Sequence, residues 1–314
     1  MTFGGTKKSK SVETILKEAG FTVSQKCSCR PSCFDFAARK LRHLIFVKIQ
    51  PDTENISPED YLELNLIAQQ VSARPLTICE ESHETPLEDD TAYFRHGVLI
   101  ITQNTFQDVV LHKTYPLIRA DPEGYFVNVD GEAIKQRREE LGLSLNRLSK
   151  LVGVPRKILY RYERGTGKTS VSTAYNIIKA LGVPVAEPVE VLKSDVKPSN
   201  NLSKVSKSLT AENDLLKEVF QTFSDFNLTT VKKAPFDFLI KIQNRITVIG
   251  GVIKLKEEGK SQRVNEILSV SRVVQACPLL ITEGEESISE DALCLPSQKL
   301  SDINGLEDLI LALK

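Results

Sequence analysis

The sequence predicts a multidomain chain: two small α/β modules flanking one short, all-helical domain. Three observations carry this reading. The chain has 314 residues, and at about 150 residues per domain that length suggests two or three domains. Its net charge of zero hides an asymmetry. Residues 1–130 carry 14 Lys and Arg against 18 Asp and Glu, residues 131–185 carry 11 against 4, and residues 186–314 carry 16 against 19. Finally, two stretches on either side of the basic segment repeat one pattern. FDFAARKLRHLIFVKI from Phe34 matches FDFLIKIQNRITVIGG from Phe236, and LNLIAQQVSARPLTICE from Leu64 matches ILSVSRVVQACPLLITE from Ile267, at offsets of 202 and 203.

A composition of 41% hydrophobic and 26% charged residues belongs to a globular chain rather than a disordered one. No apolar run reaches the roughly 18 residues of a membrane helix. Residues 1–10 lack an apolar signal core, so export is not expected. Six cysteines are too sparse for a disulfide scaffold, and a reducing, cytoplasmic setting follows.

The elements are read in order. Residues 9–19 repeat Val12, Ile15, Leu16 and Ala19 at helical spacing, and Gly20 closes the helix. Strands are expected at 20–25, 33–40 and 43–49. Residues 59–73 return to helical period through Leu62, Leu66, Ala68 and Val71, with Pro75 as the stop, and further strands are expected at 75–80 and 95–102. The polar stretch 121–131 reads as a linker. The first module is thus expected over residues 1–125, the helical domain over 131–185, a Pro- and Ser-rich flexible linker over 186–214 and the second module over 215–314.

Within the helical domain, Gly131–Leu141 should bury Ile134 and Leu141 and expose Lys135, Arg137 and Arg138. Gly142 breaks this helix, and Ser144 caps the next, whose inner side carries Leu145, Leu148, Leu151 and Val152. Gly153 permits a tight turn, and Pro155 suits the first turn of the third helix. There Ile158, Leu159 and Tyr162 pack, leaving Arg156, Lys157, Tyr160 and Arg161 outside. A fourth helix, 170–181, supplies Ala174, Ile177, Ile178 and Leu181.

This pattern resembles the helix-turn-helix domain of the Cro and phage-repressor family. The likeness lies in Leu141–Ser144 (LGLS), Leu148–Val154 (L-x-x-L-V-G-V), Tyr162–Gly165 (YERG) and Ala180–Pro184 (ALGVP). It departs from that family at Leu145, where Gln is usual, and at Pro155, which replaces a polar starter of the recognition helix. The resemblance implies a third helix, about 155–163, lying in the DNA major groove. Arg156, Lys157, Tyr160 and Arg161 are then the candidate base readers, and Arg137, Arg138, Arg164 and Lys168 the candidate phosphate contacts. For Tyr160 packing is the competing role; for Arg161 it is a solvated face or an ion pair with Glu163 or Glu140.

The element order of the flanks resembles the restriction-endonuclease-like, PD-(D/E)xK core. Active members of that class hold a divalent metal with an Asp and an acid-x-Lys on the next strand. Asp35 fits the first position, but Phe46-Val47-Lys48 puts a phenylalanine where the acid belongs. In the second copy Asp237 is kept, and Val248-Ile249-Gly250 offers neither acid nor Lys. A degenerate module follows, with no catalytic residues and no metal. The whole arrangement resembles a family of archaeal helix-turn-helix transcriptional regulators.

Cys27, Cys29 and Cys33 form C-x-C-x-x-x-C, one ligand short of a closed zinc site. His43 or Cys79 would be the fourth, and buried small residues are the plainer account. His83, His96 and His112 have no ligand spacing. The chain has no P-loop and no dinucleotide fingerprint, so no cofactor is expected; GTGKTS at 165–170 serves as the turn after the third helix. The expectation is a non-enzymatic, sequence-specific regulator that binds double-stranded DNA as a homodimer whose main contact lies in the flanks; the competing picture is an internal pairing of the two flanks that leaves a monomer. The rivals are a metal-dependent nuclease or repair factor targeted by the helical domain, and a protein-interaction scaffold.

Overall fold

A computed structural model describes residues 10–165, 167–194, 214–223, 227–242, 246–254, 256–284 and 288–302. They divide into two compact units. One is drawn from residues up to Gln50, Glu54–Thr77 and Leu192 onward; the other from Pro51–Thr53 and Ile78–Val191.

In the first unit, α1 (Val12–Glu18) starts at Ser11, whose hydroxyl accepts the Thr14 amide, and buries Val12, Ile15 and Leu16. The strands β1 (Thr22–Val23), β2 (Phe36–Lys40) and β3 (His43–Ile49) form an antiparallel meander. Helix α2 (Pro58–Gln70) opens on a capping box between Ser57 and Asp60, and β4 (Arg74–Ile78) lies beside β3. Pro75 therefore sits inside a strand and is not the helix stop. The helix ends at Gln70, and Ser72, at φ 55°, turns the chain. Leu62, expected on the packed face of α2, is 63% exposed.

The second unit begins with a small hairpin, β5 (Glu81–Ser82) and β6 (Thr85–Pro86), followed by the hairpin β7 (Thr91–Arg95) and β8 (Val98–Ile101). Helix α3 (Gln103–Gln107) runs into a π-helical turn, Asp108–His112, and leads to β9 (Ile118–Asp121) and β10 (Gly124–Val129). This last hairpin stands where a polar linker was expected. Gly124, at φ 127°, permits its turn, the Asp121 carboxylate accepts the Glu123 amide, and Val127 and Val129 are buried. Then come α4 (Gly131–Glu140), α5 (Leu145–Val152), α6 (Arg156–Glu163), β11 (Lys168–Ser170), α7 (Val171–Leu181) and β12 (Ala186–Glu187). Both β11 and β12 pair with β10, so the helical domain is stitched to the hairpin by strands. The start of the expected flexible linker has a defined place: β12 is paired, and Val189, Val191 and Leu192 are buried. Residues 195–213 of that stretch lie outside the described residues.

The first unit resumes with α8 (Asp214–Thr222), β13 (Asn227–Thr230), β14 (Phe238–Ile242), β15 (Ile246–Ile253), α9 (Lys260–Val274), β16 (Cys277–Thr282) and β17 (Leu293–Pro296). The sheet runs β13-β14-β15-β16-β17, antiparallel to β15 and parallel thereafter. Its core gathers Val219, Phe223, Phe238, Ile240, Val252, Leu279 and Ile281. Helix, three strands, helix and strand recur in the order of the first module, as the repeat in the sequence predicts.

The two modules pair with each other inside one chain, reciprocally. Helix α9 packs on β2, and α2 packs on β14 as well as β3. Glu266 on α9 accepts the backbone amides of Ser28 and Cys29, each at 3.0 Å. Glu63 on α2 accepts those of Lys232 and Lys233, each at 2.6 Å. Burial pushes the Glu63 carboxyl above the ordinary glutamate range, against the lowering pull of those two amides. The Phe34 and Phe236 rings meet with centroids 6.3 Å apart. Arg39 adds two hydrogen bonds to the carbonyls that end α9, those of Val273 and Val274.

Candidate nucleic-acid interface

The helical domain is assembled by caps that the sequence places locally. Asp130 accepts the Ala133 amide at the start of α4, Ser144 the Arg147 amide at α5, and Ser170 the Thr173 amide at α7. Gly153 and Gly182 close α5 and α7 at φ 78° and 70°. Pro155 is the N-cap of α6 rather than a residue of its first turn. Its carbonyl accepts the Ile158 and Leu159 amides.

The core joins Val127 and Val129 of β10 to Ile134, Leu148, Val152, Leu159, Tyr162, Ala174, Ile177, Leu181 and Val185. Two expected core residues stand outside it: Leu141 is 43% exposed and Leu151 59%. Leu141 is the C-cap of α4, past the last buried turn, and Leu151 sits one position from Val152, which takes the inward place. Helix α4 meets the end of α6 closely. A Cβ at Gly131 would overlap the Tyr162 carbonyl oxygen and the Gly165 nitrogen.

On α6 the buried residues Leu159, Tyr162 and Glu163 define the inner side. Arg156, Lys157, Tyr160 and Arg161 are all exposed, so the four side chains assigned to base reading share the outer side of one helix. Arg164, just beyond it, is exposed and holds its guanidinium 5.4 Å from the Tyr160 ring centroid.

The other three side chains assigned to phosphate have partners within the unit. Arg138 is bidentate to the buried Glu163, at 2.6 and 3.1 Å, and donates to the Leu143 carbonyl. Hydrogen bonding to Glu163 raises its guanidinium pKa further. Arg138 thereby ties α4 and the following turn to the end of α6. Arg137 donates to the Leu181 carbonyl at the end of α7 and to Glu140. Lys168 reaches Asp121 at 2.8 Å and Glu123 at 2.9 Å, across the Phe126 ring. Glu163 and Glu140, the partners weighed for Arg161, are held by Arg138 and Arg137. The structure adds Arg147, exposed in the first turn of α5. The flanking Leu145 and Leu148 pointed only to the packed side of that helix.

The nuclease-like positions fall as follows. Asp35 and Asp237 occupy equivalent points, each accepting a backbone amide on the neighbouring strand at 2.7 Å: Ile49 for Asp35, Val252 for Asp237. The Asp35 amide donates to the Val47 carbonyl and the Asp237 amide to that of Gly250. This register aligns Phe46–Lys48 with Ile249–Gly251, one residue past the triplet 248–250 read from the sequence. Phe46 is wholly buried, its ring tilted against that of Phe34 with centroids 4.7 Å apart. Lys48 stands 3.9 Å from Asp35 and donates to the Ser32 carbonyl. In the second module the Lys position is Gly251, where a Cβ would press on Ile267. Among the described residues no group of three or more His, Cys, Asp and Glu is arranged to hold a metal ion.

Cys27 and Cys33 are buried and Cys29 half-buried, all three as free thiols. Burial, reinforced by Glu266, pushes the Cys29 thiol up to about 12; burial likewise raises Cys27 and Cys33. These residues pack in the loop that α9 holds and are poor thiolate donors.

Both parts of the chain have matches among known proteins. The PD-(D/E)XK superfamily domain matches residues 7–116, and a helix-turn-helix domain matches 134–187. A Thermococcus kodakarensis protein named "Putative HTH-type transcriptional regulatory protein" is 30% identical over 305 residues, covering 96% of this chain and 93% of its own. Proteins of the same designation from Pyrococcus furiosus and Methanococcoides burtonii are each 26% identical, over 96% and 94% of this chain and 95% and 92% of their own. Among solved structures, the SinR protein/SinI protein complex matches at 22% identity, covering 30% of this chain and 93% of that one, with a TM-score of 0.16. No helix among the described residues is long and apolar enough to cross a membrane.

Proposed function

This chain belongs to the family of archaeal HTH-type transcriptional regulatory proteins, and from that premise we propose that it is a cytoplasmic, sequence-specific regulator that reads duplex DNA with α6. The observation that carries the reading is the exposed outer side of α6, where Arg156, Lys157, Tyr160 and Arg161 stand opposite a buried Leu159 and Tyr162. A helix of this size fits the major groove, and an arginine near its start is suited to a bidentate contact with guanine. Arg164 and Arg147 are available to phosphate as they stand. Arg137 and Lys168 reach phosphate by exchanging an exposed ion pair for it, and Arg138 serves by holding α4 against α6.

The α/β modules act as scaffold rather than nuclease. A buried phenylalanine in the acid position cannot ligate magnesium, and the remaining Asp35 and Lys48 are engaged with backbone groups. One helix-turn-helix domain reads only a few base pairs, so two copies on half-sites one helical turn apart are the working assembly, a homodimer on DNA.

The test is selection of duplexes from a random library, followed by titration of variants. Arg156→Ala should cost about 1–3 kcal/mol on the selected site and relax preference at one position. Arg137→Ala should weaken all duplexes alike and flatten the salt dependence. Uniform loss for both variants on every sequence would remove α6 from base reading.

A further inference from the structure

The hairpin that joins β2 to β3 turns on two residues, Leu41 and Arg42, between the paired Lys40 and His43. Leu41 is 87% exposed, the most of any large apolar side chain among the described residues, and it sits at φ 52°. Two-residue hairpin turns favour Gly, Asn or Asp at a left-handed position, and a bulky side chain there is strained. At such exposure, packing does little to offset the strain. The twin module does without leucine: the residue matching Leu41 is Gln243, in the stretch Gln243-Asn244-Arg245. Folding therefore does not call for an apolar tip.

The tip is also anchored and basic. From Phe36 to Pro51 the sequence has four Lys and Arg and no Asp or Glu. Two of these cations fasten the hairpin to its neighbours: Arg39 donates to the Val273 and Val274 carbonyls, and Lys40 to that of Ala19. Arg42 is left exposed, with no ion pair among the described residues. Two further exposed cations adjoin atoms that the hairpin touches. Lys193 follows Leu192, whose carbonyl lies 3.3 Å from His43 Nδ1. Arg272 precedes Val273 and is only loosely paired, with Asp291 at 3.9 Å.

We propose that this tip is a second contact with duplex DNA, in which Leu41 enters the minor groove as a wedge at one base step and Arg42 holds an adjoining phosphate. Apolar side chains used in this way unstack the step and kink the duplex, while basic neighbours neutralise its phosphates. The cations at the tip select a polyanion. A single leucine offers too little apolar surface to hold a bilayer, but it is the size of a wedge between base pairs. The inference rests on the regulator reading for its partner, a duplex, and needs nothing of the base preference of α6.

The test uses the full-length protein and a duplex carrying the selected site between long flanks, with a fluorescence donor and acceptor at its ends. Energy transfer reads bending, and permanganate reads unstacked thymines. The bound duplex should bend, with a permanganate-reactive step in a flank. Leu41→Asn should abolish both signals and weaken binding about tenfold. Arg42→Ala should lower the slope of log affinity against log salt by about one. Library selection should return the same site for both variants. Thermal unfolding of Leu41→Asn should be unchanged or raised, because asparagine tolerates the left-handed region; this separates lost contact from lost folding. Equal bending, reactivity and affinity in Leu41→Asn overturn the proposal. So does an unbent duplex together with Leu41-dependent binding to phosphatidylserine vesicles. A chain that selects no site yet bends random duplexes, and does so only with Leu41, supports the wedge and removes base reading from α6.

Discussion

The two α/β modules keep an aspartate at the same point of the sheet and surround it with different cations. In the first, Lys48 comes from the strand beside Asp35, at 3.9 Å. In the second, Gly251 leaves that place empty, and Arg263 on α9 supplies the charge, 2.5 Å from Asp237. Each cation also serves a backbone carbonyl just ahead of its aspartate: Lys48 donates to that of Ser32, and Arg263 to that of Pro235. The lesson is that the fold retains the aspartate for its hold on the neighbouring strand, and that a cation follows it from whichever element has room. The second module takes this furthest. Arg263 is 3% exposed and also pairs with Glu257, while Arg30 from the first module reaches the other oxygen of Asp237 at 2.7 Å.

This comparison sets an order of effects. Arg263→Met should be the most damaging change, about 3–5 kcal/mol, because it strands the Pro235 and Val252 carbonyls and leaves the Asp237 charge to Arg30 alone; denaturant unfolding measures it. Glu63→Ala and Glu266→Ala should each cost about 1–3 kcal/mol by freeing two backbone amides. If the modules are truly reciprocal, the two losses will agree within about 1 kcal/mol on that same scale. Lys48→Met should cost about 1 kcal/mol, the worth of one carbonyl hydrogen bond and a long ion pair. A loss as large as that of Arg263→Met would refute the asymmetry. The last effect leaves stability unchanged: with its thiol pushed up to about 12, Cys29 should react with iodoacetamide at pH 8 about a thousandfold more slowly than an unperturbed cysteine. Peptide mass spectrometry reads that rate.

Much of this was legible in the chain because its signals are local. Ser144, Gly153, Ser170 and Gly182 fix the ends of α5 and α7 within a few residues of themselves, and the FDF and Pro-flanked repeats mark both modules. What failed was non-local or a matter of one residue. The stretch 121–131 reads as a linker because its turn residues outnumber its apolar ones; only the pairing of β10 with β9 makes it a hairpin, and β11 then extends the sheet. Leu141 and Leu151 fit a helical period but lie at the ends and edges of their helices. The triplet 248–250 was misaligned by one position because only the register of Asp237 with Gly250 sets it. The phosphate set includes Arg138, whose partner Glu163 lies 25 residues on, so no local signal marks this arginine as half-buried and paired. The contacts of Glu63 and Glu266 span well over a hundred residues and have no local signature.

The account stands most directly on what the full chain does to a bound duplex. An end-labelled fragment carrying the selected site should be incubated with the protein in magnesium and in manganese, then run both as a footprint and as a cleavage assay. The account predicts strands that stay intact, protected over half-sites one helical turn apart, with protection lost in Arg156→Ala. Cleavage of the fragment, abolished by Asp35→Ala, would contradict it.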